Sequence, residues 1–191
     1  EKIDALEFGY HATLGHRLDF DLKLFRHELR RLIRLRDSND YNALNRPISS
    51  FYSDDKVAFN GVEAQVDYRL DERLRLMAGL TMIDGVGYEP RPQLANSVPS
   101  TIFNAAAIVT PASDTTVSLG YYTHSKVRWL HGQEYDLIPG QIDLGVRKEF
   151  RQQGSNPYLQ LTVRDLLAGS GEQIAGNRRH THAYIQAGID F

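Results

Sequence analysis

The chain has 191 residues, 41% apolar and 24% charged, with 22 basic against 24 acidic side chains and a net charge of −2. That composition excludes an intrinsically disordered chain, and the near-neutral, interleaved charge argues against a nucleic-acid partner. The absence of cysteine excludes disulfides, thiol catalysis and cysteine-ligated zinc.

Apolar runs are short, as at 105–109, and none approaches the roughly 18 residues that a spanning helix needs. The opening EKIDALEF has neither the basic nor the apolar region of a signal peptide. Strands crossing a membrane leave only a weak hydropathy signal, because alternate residues alone meet lipid.

Period-2 alternation begins at once. Leu6, Phe8, Tyr10, Ala12 and Leu14 alternate with Glu7, Gly9, His11 and Thr13, which predicts a first strand. After GHR, Leu18, Phe20, Leu22 and Leu24 alternate with Asp19, Asp21 and Lys23. The continuation LFRHELRRLIRLRD is ambiguous. Phe25, Leu29, Leu32 and Ile33 have helix spacing, yet the alternation entering them predicts a long strand that leaves an apolar zone and becomes charged. Val62, Ala64, Val66, Tyr68 and Leu70 form a third strand, and after DER come Leu74, Leu76, Ala78, Leu80 and Met82. TIFNAAAIVT is apolar on both parities and turns at PASD into Val117, Leu119 and Tyr121. Ile142, Leu144, Val146 and Lys148 share a parity, as do Leu159, Leu161 and Val163 after RQQGSNP. Ala183, Ile185, Ala187, Ile189 and Phe191 complete a count of nine.

The connections alternate in length. Those near Gly15, near Asp71, at 111–114 and at 151–156 are tight; those at 37–55, 84–97, 126–138 and 168–179 are long. A soluble sandwich with Greek-key connections has no reason to sort its loops this way. The pattern predicts an all-β fold: an antiparallel up-and-down transmembrane β-barrel segment of about nine strands, with short periplasmic turns and long extracellular loops. Strands of about ten residues match a tilted crossing of the hydrocarbon, and the polar parity of Glu, Gln, Asp, Arg, Gly and Thr suits a wet or plugged lumen.

EKIDALEFGY followed by LDFDLKLFRHELRRLI resembles a segment of the TonB-dependent outer-membrane receptors, and FNGVEAQVDYRLDERLRLMAGLTMID resembles their next hairpin. NSVPSTIFNAAAIVT, PYLQLTVRDLLAGSG and the terminal AYIQAGIDF follow in the family's order, with Arg164 standing where the family usually has Asn before the DLL. The resemblance implies that residues 1–191 are the C-terminal portion of such a barrel, without the plug domain and the N-terminal barrel strands. It further implies a Gram-negative outer-membrane receptor that imports a scarce ligand, often a ferric siderophore or other metal chelate. TonB would act through the absent plug, and the barrel assembly machinery would read the terminal strand through Phe191, Ile189, Ala187 and Ile185. Another outer-membrane barrel, such as a passive porin or a lipid transporter, and a soluble β-sheet binding protein are the alternatives.

No nucleophile elbow or phosphate loop accompanies the scattered Ser, His and Asp, so no enzyme is expected. GSGEQIAG at 169–176 lacks the lysine and spacing of a phosphate loop and reads as a surface loop. His180 and His182 share a parity but lack a third ligand, so neither a metal nor a cofactor is read from the sequence. The long loops gather Phe51, Tyr52, Tyr88, Arg91, His124, Lys126, Arg128, Trp129, His131 and Tyr135. Aromatic and arginine side chains suit capture of a ligand at a surface, although Trp129 and Tyr135 equally suit the aromatic girdle of a membrane barrel.

Overall fold

The computed structural model describes residues 1–41, 47–87, 95, 97–128, 134–135, 138–150, 155–167, 172–174, 177–178 and 180–190. Nine strands form a single antiparallel sheet: β1 (Lys2–Leu14), β2 (Leu18–Tyr41), β3 (Pro47–Arg69), β4 (Leu74–Gly87), β5 (Thr101–Ala112), β6 (Thr115–His124), β9 (Ile138–Glu149), β10 (Asn156–Arg164) and β13 (His182–Asp190). Two short ribbons, β7 (Val127–Arg128) with β8 (Glu134–Tyr135) and β11 (Glu172–Ile174) with β12 (Asn177–Arg178), lie within the connections. Each sheet strand pairs with its sequence neighbours in the sheet, so the order is an uninterrupted meander whose edges are β1 and β13. This is the up-and-down arrangement that the alternating loop lengths predict.

Register places like beside like. Directly opposed residues of antiparallel strands share a face, and Tyr10, Leu22, Ala64, Leu80 and Phe103 form one row across β1 to β5. A second row runs Ile185, Leu161, Val146, Val117, Val109 and Leu74 from β13 back to β4. One face is therefore apolar across all nine strands. On β1 this belt runs from Leu6 to Leu14, about 19 Å along the membrane normal at 3.3 Å per residue and a 45° tilt. A one-residue slip at any ladder would carry the apolar set of that strand to the opposite face.

The apolar face has no cover. Among the described residues only Val57, Ala58 and Ala95 are buried and apolar, whereas Leu6 is 73% exposed and Ile185 77% exposed. A soluble sheet of this width would bury one face on a second layer.

The tight ends are built from local chemistry. Gly15 adopts φ 63° in the β1–β2 turn, a conformation open to glycine without steric cost. The Asp71 carboxylate accepts hydrogen bonds from the amides of Arg73 (2.7 Å) and Leu74 (2.8 Å), closing the β3–β4 turn. At the β5–β6 turn, Lys148 Nζ reaches Asp114 at 2.6 Å, and with the hydroxyl of Thr115 it holds that carboxyl below its ordinary range.

The ambiguous segment is strand, with no helix. Residues 18–30 pair on both sides, with β1 and with β3, so helix would forfeit two ladders for one set of internal bonds. Arg31 has φ 56° at an irregularity in the β2–β3 register, and its carbonyl accepts from Ser53 Oγ at 2.9 Å. The 37–55 connection is shorter than the sequence suggests, because β2 runs to Tyr41 and β3 starts at Pro47.

Candidate functional site

The loop residues expected to meet a ligand fall into separate places. Tyr52 lies on β3 opposite Arg34, on an extended hairpin and not in a loop. Arg128 and Tyr135 come together on the β7–β8 ribbon, where Arg128 opposes Glu134 and Val127 opposes Tyr135. His124 ends β6 opposite Ile102; its Nδ1 lies 2.7 Å from the Ser125 carbonyl and its ring meets Tyr122 edge-on at 5.9 Å. Tyr88, Arg91, Trp129 and His131 fall outside the described residues, as does Phe191. Ile185, Ala187 and Ile189 stand opposite Leu161, Leu159 and Pro157 on the apolar face of β13.

What alternation alone could not reveal is the pairing on the polar face. Lys23 on β2 stands opposite Glu63 on β3 and diagonal to Glu7 on β1; its Nζ lies 3.8 Å from Glu7 and 3.3 Å from Glu63, and the His27 Nε2 contacts Glu7 at 2.8 Å. Lower down, His11 faces Asp21 at 3.6 Å and the Thr13 hydroxyl donates to Asp19 at 2.8 Å. Arg75 grips Asp67 with both Nε and a terminal amino nitrogen, the bidentate geometry for which guanidinium is suited. A trough of about 450 Å³ runs over His11, Asp19, Asp21, Gln65, Asp67, Met77 and Asn104. Five carboxylates against Lys23 and Arg75 make this stretch of the face acidic. It can bind cationic or hydrogen-bonding groups of whatever occupies the concavity. Among the described residues no three His, Asp or Glu side chains converge at metal-ligating distance.

Close approach on this face uses glycine. Tyr158 lies across Gly188 on β13, so that a Cβ there would stand 2.6 Å from the ring. The same ring carries the Arg147 guanidinium 3.8 Å from its centroid, and the Tyr158 hydroxyl accepts from Gln186 Nε2 at 3.2 Å. Gly85 likewise admits the backbone of Ala95, whose carbonyl oxygen would stand 2.5 Å from a Cβ there. In the Arg164–Asp165 segment, Asp165 turns with φ 59° and its amide donates to Asp143 Oδ1 at 2.9 Å. Arg164, at the position where the resemblance expects Asn, instead lies over the Tyr184 ring at 5.9 Å.

Beyond the apolar belt, at the end away from the tight turns, the other face becomes charged. Glu28 receives Arg30 Nε at 2.7 Å and Lys56 Nζ at 2.6 Å. These hydrogen bonds, Arg30's first, outweigh burial and lower its pKa from 4.5 to about 2. Because the folded value is the lower one, the stabilisation is complete above pH 4.5 and is lost as pH falls from there through about 2. Glu28→Gln is therefore expected to lower the melting temperature of the detergent-solubilised protein at pH 7. The gap to the parent should shrink between pH 4.5 and pH 2, which a pH series of thermal melts would read.

No protein-family model matches the chain, and no curated protein matches its sequence. Solved structures do match in fold, among them several TonB-dependent receptors and the outer-membrane protein OmpT of Vibrio cholerae. The ferric preacinetobactin receptor BauA of Acinetobacter baumannii superimposes with a TM-score of 0.68 at 18% identity, over 98% of this chain and 29% of its own. The ferric enterobactin receptor PfeA of Pseudomonas aeruginosa gives 0.67 at 13% identity, over 98% and 30%. The copper transporter OprC gives 0.65 at 11%, again over 98% and 30%. The chain thus spans under a third of the length of these three proteins, and the likeness is one of fold: a nine-stranded antiparallel up-and-down sheet that superimposes on part of each.

Proposed function

We propose that residues 1–191 form the C-terminal part of the barrel of an outer-membrane receptor that imports a scarce ligand, such as a ferric siderophore, on energy transmitted by TonB. The observation that carries this reading is the apolar face, which crosses all nine strands, remains exposed, and backs onto an ion-paired polar face. In water such a patch is an aggregation surface. In hydrocarbon it is matched to its solvent, and a closed ladder leaves no lipid-facing backbone group unpaired. The ligand class is supported by the likeness to ferric preacinetobactin and ferric enterobactin receptors, with the copper transporter widening it to metal cargo.

On this reading the tight turns are periplasmic and the long connections extracellular, in the outer membrane of a Gram-negative bacterium. Tyr52, Tyr88, Arg91, His124, Arg128, Trp129, His131 and Tyr135 stand toward the side from which ligand arrives. The strand holding Ile185, Ala187, Ile189 and Phe191 is read by the assembly machinery, and TonB acts through a plug domain outside this chain. The protein binds and translocates; it performs no bond chemistry.

Fractionation and uptake test the reading in the full-length parent. It is expected in the outer-membrane fraction, with uptake of a labelled ferric siderophore under iron limitation that disappears in a TonB-deficient strain. Recovery in the soluble fraction without detergent would sink the barrel. Uptake indifferent to TonB would make it a passive porin or a lipid transporter.

A further inference from the structure

The outward face of β1 to β3 carries a feature that ligand import does not use. Lys2, Arg30 and Lys56 oppose one another in a single row on three adjacent strands. At a strand spacing of about 4.8 Å the row spans roughly 10 Å. One row closer to the belt stand Asp4 and Glu28, opposed to each other. Each carboxylate bridges two cations: Asp4 takes Lys2 at 3.0 Å and Arg30 at 3.7 Å, while Glu28 takes Arg30 at 2.7 Å and Lys56 at 2.6 Å. The next row holds Arg26, hydrogen-bonded to Asn60 at 3.0 Å, together with Leu6 and Asp84.

The charges are layered. The side chains of Lys2, Arg30 and Lys56 are 63%, 48% and 37% exposed, against 14% for Glu28 and 43% for Asp4. Glu28 therefore fixes Arg30 and Lys56 from beneath, Asp4 shares the surface with Lys2 and Arg30, and three cations against two carboxylates leave the cluster net positive. The rows share the parity of the lipid-facing belt and continue it. Four residues separate the top row from the Leu6 row, about 9 Å along the membrane normal for strands tilted 45°, within reach of long side chains that bend toward a headgroup layer. On β5, β6, β9, β10 and β13 the same face carries, among the described residues, one charged side chain, Lys148, at the opposite end. The cationic row is thus local to β1–β3.

The geometry points to a binding site for the phosphate groups of an outer-leaflet glycolipid, formed by Lys2, Arg30 and Lys56 on the outside of the barrel wall. Charge complementarity and continuity with the lipid-facing belt select this occupant. Phosphate accepts hydrogen bonds from arginine and lysine in this disposition, and each cation near a charged membrane surface contributes about 1 kcal/mol. The inference rests on the reading of the chain as an outer-membrane barrel with its long connections outside.

The test uses the full-length protein in detergent, with lipid A and its phosphate-free analogue as probes. The parent is expected to retain lipid A and not the analogue. Lys2→Gln, Arg30→Gln and Lys56→Gln should each weaken retention about fivefold, while Lys56→Arg should preserve it. Unchanged retention in the triple variant, or equal retention of the phosphate-free analogue, would overturn the site. Fractionation of the parent keeps the two readings apart: absence from the outer membrane removes the barrel assignment and the site with it, whereas correct localisation with unchanged retention removes the site alone. A folded-barrel gel shift identical in parent and variants assigns any lost retention to the removed charges; a changed shift in the variants with the Lys56→Arg protein unaffected still assigns the loss to charge at this row.

Discussion

Arginine in place of Ile185 or Leu161 is expected to deplete the folded full-length protein from the outer membrane, whereas arginine in place of Gln186 or Gln160, one residue away on each strand, is expected to be tolerated. The two apolar residues oppose each other on β13 and β10, in the row that continues through Val146, Val117 and Val109. Ile185 is 77% exposed and Leu161 41% exposed, although nothing in a water-soluble sheet would leave that row open. An arginine facing lipid near the midplane costs about 2–4 kcal/mol, against almost nothing toward a wet interior. The double variant should be worse than either single one, because two like charges directly opposite repel. Immunoblots of outer-membrane fractions together with the heat-dependent gel shift of folded barrels read the result. Equal tolerance on both parities would reverse the assignment of faces.

Valine at Gly61 is expected to lower the temperature at which the folded form converts in that same gel assay, by overpacking worth about 1–3 kcal/mol. Gly61 lies on β3 between Phe25 of β2 and Ile83 of β4. A Cβ there would come 2.7 Å from the Met82 carbonyl oxygen and closer still to the Phe25 ring. The ring can swing away; the carbonyl belongs to a paired strand and cannot. Combining Gly61→Val with Phe25→Ala should therefore restore only part of the loss. Valine at Gly9 or Gly120, where a Cβ meets nothing within 4 Å, is the matched control and should be nearly neutral. A neutral Gly61→Val would mean that the β3–β4 ladder yields far more readily than this packing implies.

Much of the architecture is legible in the chain because strand periodicity is a local property. The parity of Leu6 to Leu14, or of Ile142 to Val146, is set by residues two apart, and the alternation of tight and long connections orders the strands into a meander without reference to distant contacts. The 25–33 stretch shows the limit of this. Its apolar spacing fits a helix, and two flanking ladders settle it as strand. Loop length was overestimated at 37–55 for a related reason: residues 37–41 and 47–55 are mostly polar with no apolar alternation to mark them, yet Asp37 pairs with Ser49 and Tyr41 with Pro47.

The candidate site was less legible. Tyr52 and Arg128 were grouped by residue type and by falling between strands, but distance in space follows ladder partners. Tyr52 sits on the β2–β3 hairpin, while Arg128 and Tyr135 share a separate ribbon. The ion pairs of Glu7 with Lys23 and of Arg75 with Asp67, and the row of Lys2, Arg30 and Lys56, join residues 8 to 54 positions apart. No spacing rule in one strand can find them.

By itself, then, the sequence determined the all-β class, the nine-strand count, the turn positions and which parity is apolar on every sheet strand but β5, whose TIFNAAAIVT is apolar on both, since all four depend on interactions between near neighbours. Tertiary structure alone decided the register. Register brings Lys2, Arg30 and Lys56 into one row over Asp4 and Glu28, leaves the apolar face continuous from β1 to β13, and seats Phe25 on Gly61. The physical reason is that a ladder's hydrogen bonds are nearly indifferent to side-chain identity, so the choice among registers is made by the summed matching of two whole faces, a quantity that exists only once the strands have met.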